Sequence, residues 1–561
     1  MSILALSNHA ESSACLLHNG KVYAASEERF TRNKNQGGIP KFAIEWILST
    51  SKSTLNDCKK IIYCSTSSIY PNRNQFDQLI SDIKSINDKY SEEIILHRAL
   101  SEAVNNSKAI EDFKNWIKIK KISDKKIIYL DHHEAHAKGV VNFYGIKDGM
   151  VFTCDGKGGF TSSAVWSYQN NKLTQKSLNA SHFSLGYLYG NFTISLGYKA
   201  ERHEGKLTGL AAYTKPPKDY NQINPFYVKN GKIKTKNIRG IYMPFFNRLK
   251  NTKWNLNKFN QKVKKWSPQE TAATAQKILE DTILKWISQN LKKNTKNICL
   301  SGGIFGNVKL NQIIREKFNK YRIYINPAMG DLGLVLGGIK KQISSDQGMY
   351  LGPNFNKNKK FYNNLIKNKS YNNLILRNSK SAVKESIRLF KNQKPIGIFH
   401  GEMEFGPRAL CHRSIIYPAT DITCNDWLNQ RLNRTEFMPF APVILDIHAK
   451  KFLIGYKKDQ TTSEFMTMTY LCSDEFKKLA PAVVHVDNTT RPQVLNRKKD
   501  PWFYSFLTEY IKQTGEICLI NTSFNNHEEP IVCSPQDAIK SLKRSNVDAI
   551  IFEKKYLVEK R

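Results

Sequence analysis

With 561 residues, 40% of them hydrophobic and 24% charged, the chain is long enough for two or three globular domains. No apolar run approaches the roughly 20 residues of a membrane span. The opening MSILALSNHAESS lacks the basic and apolar segments of a signal peptide, so a cytoplasmic protein that does not engage membranes is expected. The formal charge of +38 comes from lysines spread along the whole chain among Asn and Ile, which reads as a solvated surface and leaves nucleic acid outside the expected partners.

In chain order, ILAL is a short apolar strand. SACLLHNGKVYAAS is two strands around Asn19-Gly20, a type I′ turn signal. IPKFAIEWILS has helical spacing, and KKIIYL is a buried-type strand that runs into Asp131-His132-His133-Glu134-Ala135-His136. GMVFTCDGKGGF is a strand that ends in Asp155 and glycines, and SSAVWSY returns from it. A strand, an Asp-Gly turn and a strand bring a backbone close to a phosphate. No carboxylate occurs between Asp219 and Glu270, a basic stretch carrying Phe226, Tyr227, Tyr242, Phe245, Phe246, Trp254 and Trp266. It either faces an anionic acceptor or is an ordinary surface excursion.

SPQETAATAQKILEDTILKWISQNL is the clearest helix, with Ser267 as N-cap, Pro268 at N1 and Glu270 closing a capping box. NICLSGGIFGN and YRIYINPAMGDLGLVLGGI are each a strand entering a glycine-rich turn and a helix. Near residue 350 the texture turns polar, a domain boundary, and a second α/β region follows. The ten cysteines, with no CxxC pair, read as buried thiols, not as a disulfide frame or a zinc ribbon.

If a helix starts at Asp131, His132 and His136 share one face and can hold one metal, while His133 points elsewhere. The alternative is a polar helix start with no ligand. Asp155 and Asp331, each beside glycine at a strand end, are candidates for the remaining ligands, and imidazole with carboxylate suits Fe(II), Zn(II) or Mn(II). In the second region, Arg408 and Arg413 follow a Gly-Pro turn, and Arg491, Asn521 and Ser523 add polar turns. Together they are an anion-binding set or a collection of surface groups. His9, after the first strand, is either a base or a loop histidine.

The stretches HHEAHA, TCDGKGG, SLGYLYGNFTISLGYKAERHEGKLTGLAAY, LSGGIFGN, PAMGDLGLVLGG, GEMEFGPRALCHRSI, RTEFMPFAPV, PAVVHVDNTTRPQ and INTSFNNHEEPIVCSPQDAI occur in one order over nearly the whole chain. In these the chain resembles the O-carbamoyltransferases of the NodU/CmcH type. The resemblance implies an α/β protein. Residues 1–352 form an actin/Hsp70-like (ribonuclease H-like), two-lobed TsaD-type domain with a basic insert at about 217–266. Residues 353–561 form a YrdC-like domain. It implies an ATP-dependent enzyme in which carbamoyl phosphate and ATP, with Mg2+, give carbamoyl adenylate in the second domain. The carbamoyl group then passes to a hydroxyl of a sugar or secondary metabolite in the first.

Carried over by position, the metal ligands, usually for iron, fall on His132, His136, Asp155 and Asp331. Nucleotide contacts fall on Gly156, Lys206, Gly302, Gly303 and Asn307. Contacts to carbamoyl phosphate and the adenylate fall on Arg408, Arg413, Arg434, Arg491, Asn521 and Ser523, with Arg408 and Arg413 catalytic alongside His9. Two departures stand out. HAESSA is one residue longer than the HDSSA of the family, which displaces His9 from the expected register. Arg431 and Asn433 stand near the place of a usual lysine before Arg434. The expected partner is a small hydroxyl acceptor, with a homodimer allowed. The competing functions are a tRNA-modifying threonylcarbamoyl-type transferase, favoured by the basic stretch, and a non-catalytic nucleotide and metal sensor.

Overall fold

A computed structural model describes residues 2–560 except 67, 86–88, 237, 239–240, 242–264, 368–373, 379–380, 435–436, 459–460 and 545. Tyr242, Phe245, Phe246 and Trp254 of the basic stretch lie outside the described residues. The chain is mixed α/β, as its sequence pattern implies, and divides into two compact units. The N-terminal unit holds Ser2–His9 and Leu55–Lys341; the C-terminal unit holds Ala10–Thr54 and Gln342–Arg561. Among the described residues no helix is long and apolar enough to cross a membrane.

In the N-terminal unit, strands Ser2–Ser7, Cys58–Ser65 and Ile127–Asp131 pair in parallel in chain order. A second sheet runs Arg322–Ile325, Asn297–Ser301, Gly149–Gly158, Thr161–Gln169, Lys172–Ala180. Its first two pairings are parallel and its last two antiparallel. The helix His132–Tyr144 packs against both sheets, with Ala135, Ala137, Val140, Val141 and Phe143 buried along it. It crosses the short helix Leu334–Gly337 so closely that a Cβ at Gly337 would strike the backbone carbonyl of Ala135. Gly337→Ala is therefore expected to lower stability by about 1–3 kcal/mol, read by urea unfolding. The helix Pro268–Asn290 begins with the predicted capping box. Ser267 Oγ accepts from Glu270 N at 3.1 Å, and Glu270 Oε2 accepts from Ser267 N at 2.8 Å.

The C-terminal unit opens with the predicted hairpin, Ser13–His18 with Lys21–Ser26. Asn19 (φ 49°) and Gly20 (φ 79°) both take positive φ, as a type I′ turn requires. The core is an eight-stranded sheet. Its order is Leu374–Asn378, Tyr556–Lys560, Ala549–Phe552, Ile396–Phe399, Arg413–Pro418, Leu519–Ser523, Ala441–Leu445, Gln493–Leu495. Helices Ala382–Phe390, Pro501–Thr514 and Pro535–Lys543 turn apolar faces inward, burying for example Val383, Phe503, Leu507, Ile539 and Leu542. All ten cysteines are buried and free of disulfides.

Glu464 in this unit carries a carboxyl pushed up to about 7 by burial, only partly offset by Lys499 and a hydrogen bond from Asn496. The folded chain therefore holds a proton that the unfolded chain releases nearer pH 4.5, so stability falls as pH rises from there to about 7. Glu464→Gln removes that slope. Its Tm advantage over the wild type is expected to grow between about pH 5 and about pH 8.

Candidate functional site

Asp131 ends its strand in extended geometry and caps the next helix, accepting from His133 N at 3.0 Å and Glu134 N at 3.4 Å. That cap fixes the helix phase and sets His132 and His136 on one face, ring centroids 4.8 Å apart. Asp155 arrives from the end of Gly149–Gly158, and Asp331 from the turn before Leu334–Gly337. His136 Nε2 lies 3.1 Å from Asp155 Oδ2 and 3.8 Å from Asp331 Oδ1; His132 Nε2 lies 3.9 and 3.5 Å from the same atoms. One ligand atom from each of the four falls within 4.8 Å of all the others.

Small residues make this convergence possible. A Cβ on Gly158 would overlap the His132 ring. Gly302 has φ 105°, and a Cβ there would strike the Cys154 carbonyl just before Asp155. Gly303 N donates to Asp155 Oδ2 at 3.1 Å and Gly156 N donates to Asp155 Oδ1 at 2.6 Å, so both glycines orient a carboxylate of the cluster.

The electrostatics suit a cation. Burial alone would raise Asp155, yet His132 and His136 beside it hold it well below the usual carboxylate range. Burial pushes Asp331 up to about 7, with Asp155 adding to the shift. Burial alone would lower His132, but Asp331 and then Asp155 push it up to about 8, while burial lowers His136. Both ring nitrogens of His132 are buried without a hydrogen-bond partner. Such orphaned groups cost about 1–3 kcal/mol each. Two imidazoles and two carboxylates with orphaned nitrogens fit a divalent transition metal.

His133 faces elsewhere. Its Nε2 donates to the Thr161 carbonyl and its Nδ1 meets Thr153 Oγ1, both at 3.0 Å. Burial, then His132 and His136, lower it to about 3, which leaves it a neutral structural group. His9, despite its longer loop, lies beside the cluster, 5.2 Å from His132 between ring centroids. Burial and the His132 charge lower it to about 3, so it is neutral and weakly basic.

Asn307 caps Val308–Lys317 through Leu310 N and donates to Gln276 Oε1 at 2.7 Å, both structural tasks. Lys206 is buried, its ammonium 5.4 Å from the Tyr198 ring centroid. Ser301, whose hydroxyl meets His136 Nδ1 at 3.3 Å, escaped the sequence reading, as did Lys157. Burial would lower the Lys157 ammonium, but Tyr187 and Glu102 raise it. The signal for both was adjacency: Ser301 precedes Gly302, and Lys157 stands in the Asp155 turn.

In the C-terminal unit hydrogen bonds link several of the expected anion contacts. Arg434 Nη2 donates to Ser523 Oγ (3.0 Å), Asn525 Oδ1 (3.0 Å) and Asn525 O (3.1 Å), and Nη1 to Thr522 Oγ1 (2.7 Å). Arg434 and Ser523 are thus brought together. Arg408 and Arg491 are half-buried. Asn521 is buried and donates to Gln493 Oε1 (2.6 Å) and the Ala409 carbonyl (3.2 Å), which ties its strand to the Arg408 turn.

Arg413, like Arg434, is engaged by groups of the protein itself. It is fully buried, stacks 3.7 Å above the Phe399 ring, and donates to the carbonyls of His400, His412, Pro353 and Gly401. A guanidinium so placed ties the turn together. Arg431 donates to Asp548 Oδ2 at 2.7 Å.

The carbamoyltransferase N-terminus family model matches residues 2–339, and the carbamoyltransferase C-terminus model matches residues 387–560. An uncharacterized protein of Methanocaldococcus jannaschii is 30% identical over 98% of both chains. Nodulation protein NolNO of Sinorhizobium fredii is 25% identical over 98% of this chain and 79% of its own. Nodulation protein U of the same organism is 27% identical over 46% of each. Among solved structures, full-length HypF aligns with 60% of this chain and 54% of its own at 13% identity and a TM-score of 0.32. Matched over both its halves, the chain belongs to the carbamoyltransferase family and is a carbamoyltransferase enzyme.

Proposed function

We propose that the protein is an ATP-dependent O-carbamoyltransferase. Its N-terminal unit corresponds to a TsaD-type, actin/Hsp70-like domain and its C-terminal unit carries a YrdC-like domain. Water cleaves carbamoyl phosphate to carbamate and phosphate. The carbamate oxygen then attacks the α-phosphorus of ATP, pyrophosphate leaves, and carbamoyl adenylate remains. A free carbamate is a poor electrophile, and the mixed anhydride supplies AMP as a leaving group. This step gathers phosphate charge, for which Arg408, Arg434 and Arg491 are the fitting groups. An acceptor hydroxyl of a sugar or secondary metabolite then attacks the carbamoyl carbon and AMP departs.

The cluster of buried His132 and His136 with half-buried Asp155 and Asp331 carries this reading, and iron is the ion the family resemblance leads us to expect. A divalent ion held there would supply a Lewis acid to the reacting carbonyl. His9 stays neutral and keeps a ring lone pair, so it orients the acceptor hydroxyl more than it removes the proton. Purified protein given ATP, carbamoyl phosphate and a panel of hydroxyl acceptors should release AMP and pyrophosphate together, with a carbamate ester formed. Release of ADP in place of AMP would overturn the reading.

A further inference from the structure

A second group of metal-ligating side chains lies wholly within the C-terminal unit: His400, His412 and Asp500. His400 follows the strand Ile396–Phe399, and His412 precedes the antiparallel strand Arg413–Pro418. The pairing brings their rings to 4.1 Å between centroids. Asp500 is the N-cap of Pro501–Thr514. Its Oδ1 accepts from Phe503 N at 2.9 Å, which turns Oδ2 toward the histidines. Oδ2 lies 3.4 Å from His412 Nε2 and 3.9 Å from His400 Nε2.

All three side chains are buried, with residue exposures of 2% for His400, 6% for His412 and 3% for Asp500. His400 Nε2, His412 Nε2 and Asp500 Oδ2 each lack a hydrogen-bond partner. Three orphaned buried ligand atoms that face one another are a costly arrangement unless something binds them all. The outer ring atoms are already engaged. His412 Nδ1 lies 2.6 Å from the Glu402 carbonyl, which only accepts, so Nδ1 carries the proton and Nε2 keeps its lone pair in the neutral ring. His400 makes a backbone hydrogen bond with Cys411. This is how outer partners orient metal-binding imidazoles.

Aromatic packing holds the rings in place. Tyr350 stacks on His412 at 3.9 Å and Trp502 meets His400 edge-on at 4.5 Å. Gly401, at φ 57°, leaves room for the His412 ring, since a Cβ there would lie 3.1 Å from its Cε1.

We propose that His400 Nε2, His412 Nε2 and Asp500 Oδ2 form a second metal site, for a zinc-like divalent ion with one coordination position left to water. Ligands at the Zn–N and Zn–O bond lengths of a tetrahedral site stand about 3.3 Å apart, close to the 3.4 and 3.9 Å here. Two imidazoles favour zinc, cobalt or nickel over magnesium or calcium. The ion would fasten the His400–His412 segment, which carries Arg408, to the helix that starts at Pro501. With one carboxylate, and with Arg413 turned toward the carbonyls of His400 and His412, it is expected to release its ion to a chelator before the two-carboxylate centre does.

The test counts zinc per chain by mass spectrometry after the metal-free full-length protein is reloaded and desalted. Wild type should hold two ions. Asp500→Asn, which keeps an N-cap side chain, and His412→Asn should each hold one, and so should His136→Ala. The double variant His136→Ala/Asp500→Asn should hold none. In the His136→Ala background, zinc should raise Tm, and Asp500→Asn should abolish that rise. Two ions retained by folded Asp500→Asn and His412→Asn, or none held by folded His136→Ala, would overturn the proposal. Should the variants misfold, anomalous scattering at the zinc edge from wild-type crystals decides: a peak between the three side chains supports the site, and no peak there refutes it. A buried imidazolium–aspartate pair without metal would give that second result.

Discussion

His136→Ala is expected to strip the ion from the N-terminal centre and to cut carbamoyl transfer at least about a hundredfold. His136 offers Nε2 to both carboxylates, and its Nδ1 is met by Ser301, so no neighbour replaces it. Loss of an outer partner of a metal ligand already costs about 10–100-fold, and loss of a ligand costs more. Carbamoyl-dependent exchange of pyrophosphate into ATP should survive, because the arginines assigned to it lie in the other unit. Metal analysis, exchange and transfer measured on one preparation check this. Unchanged transfer in metal-depleted His136→Ala would remove the centre from the reaction.

The second large effect separates two arginines five residues apart. Arg413→Met should remove a donor from four carbonyls; those of His412 and Pro353 keep the backbone N–H of His400 and Met403, while those of His400 and Gly401 lose theirs, at about 1–3 kcal/mol each before relaxation. A net loss of more than about 3 kcal/mol is expected, with a fall in Tm of roughly 10 °C. Arg408→Met should lose pyrophosphate exchange with a smaller fall in Tm than Arg413→Met, since Arg408 is half-buried and Arg413 fully buried. Thermal unfolding followed by circular dichroism and the exchange assay distinguish the two. A stable, inactive Arg413→Met would place that residue in the anion site instead.

Much of the local structure is legible without coordinates because it rests on short-range rules. Asn19-Gly20 demands the type I′ hairpin, and Ser267-Pro268-Gln269-Glu270 demands a helix start. The Asp131 cap turns a run of histidines into a face, because helical spacing alone places His132 beside His136. The ordered motifs along the chain carried the family resemblance, and both family models match.

What the sequence by itself determined, then, was the elements, the family and the chemical type of each candidate residue. Only the tertiary structure decided which of them meet, because contacts between residues far apart in the chain depend on strand order and helix crossing. It places Asp331 beside a helix that begins some 200 residues earlier, through the close crossing at Gly337. It spends Arg413, Asn521 and Asn307 on buried backbone and side-chain partners, which no spacing announces, since a buried donor must find an acceptor wherever the fold offers one. And it brings Asp500 to His400 and His412, residues without any sequence signature in common, because a strand pair and a helix start end at the same place in the core.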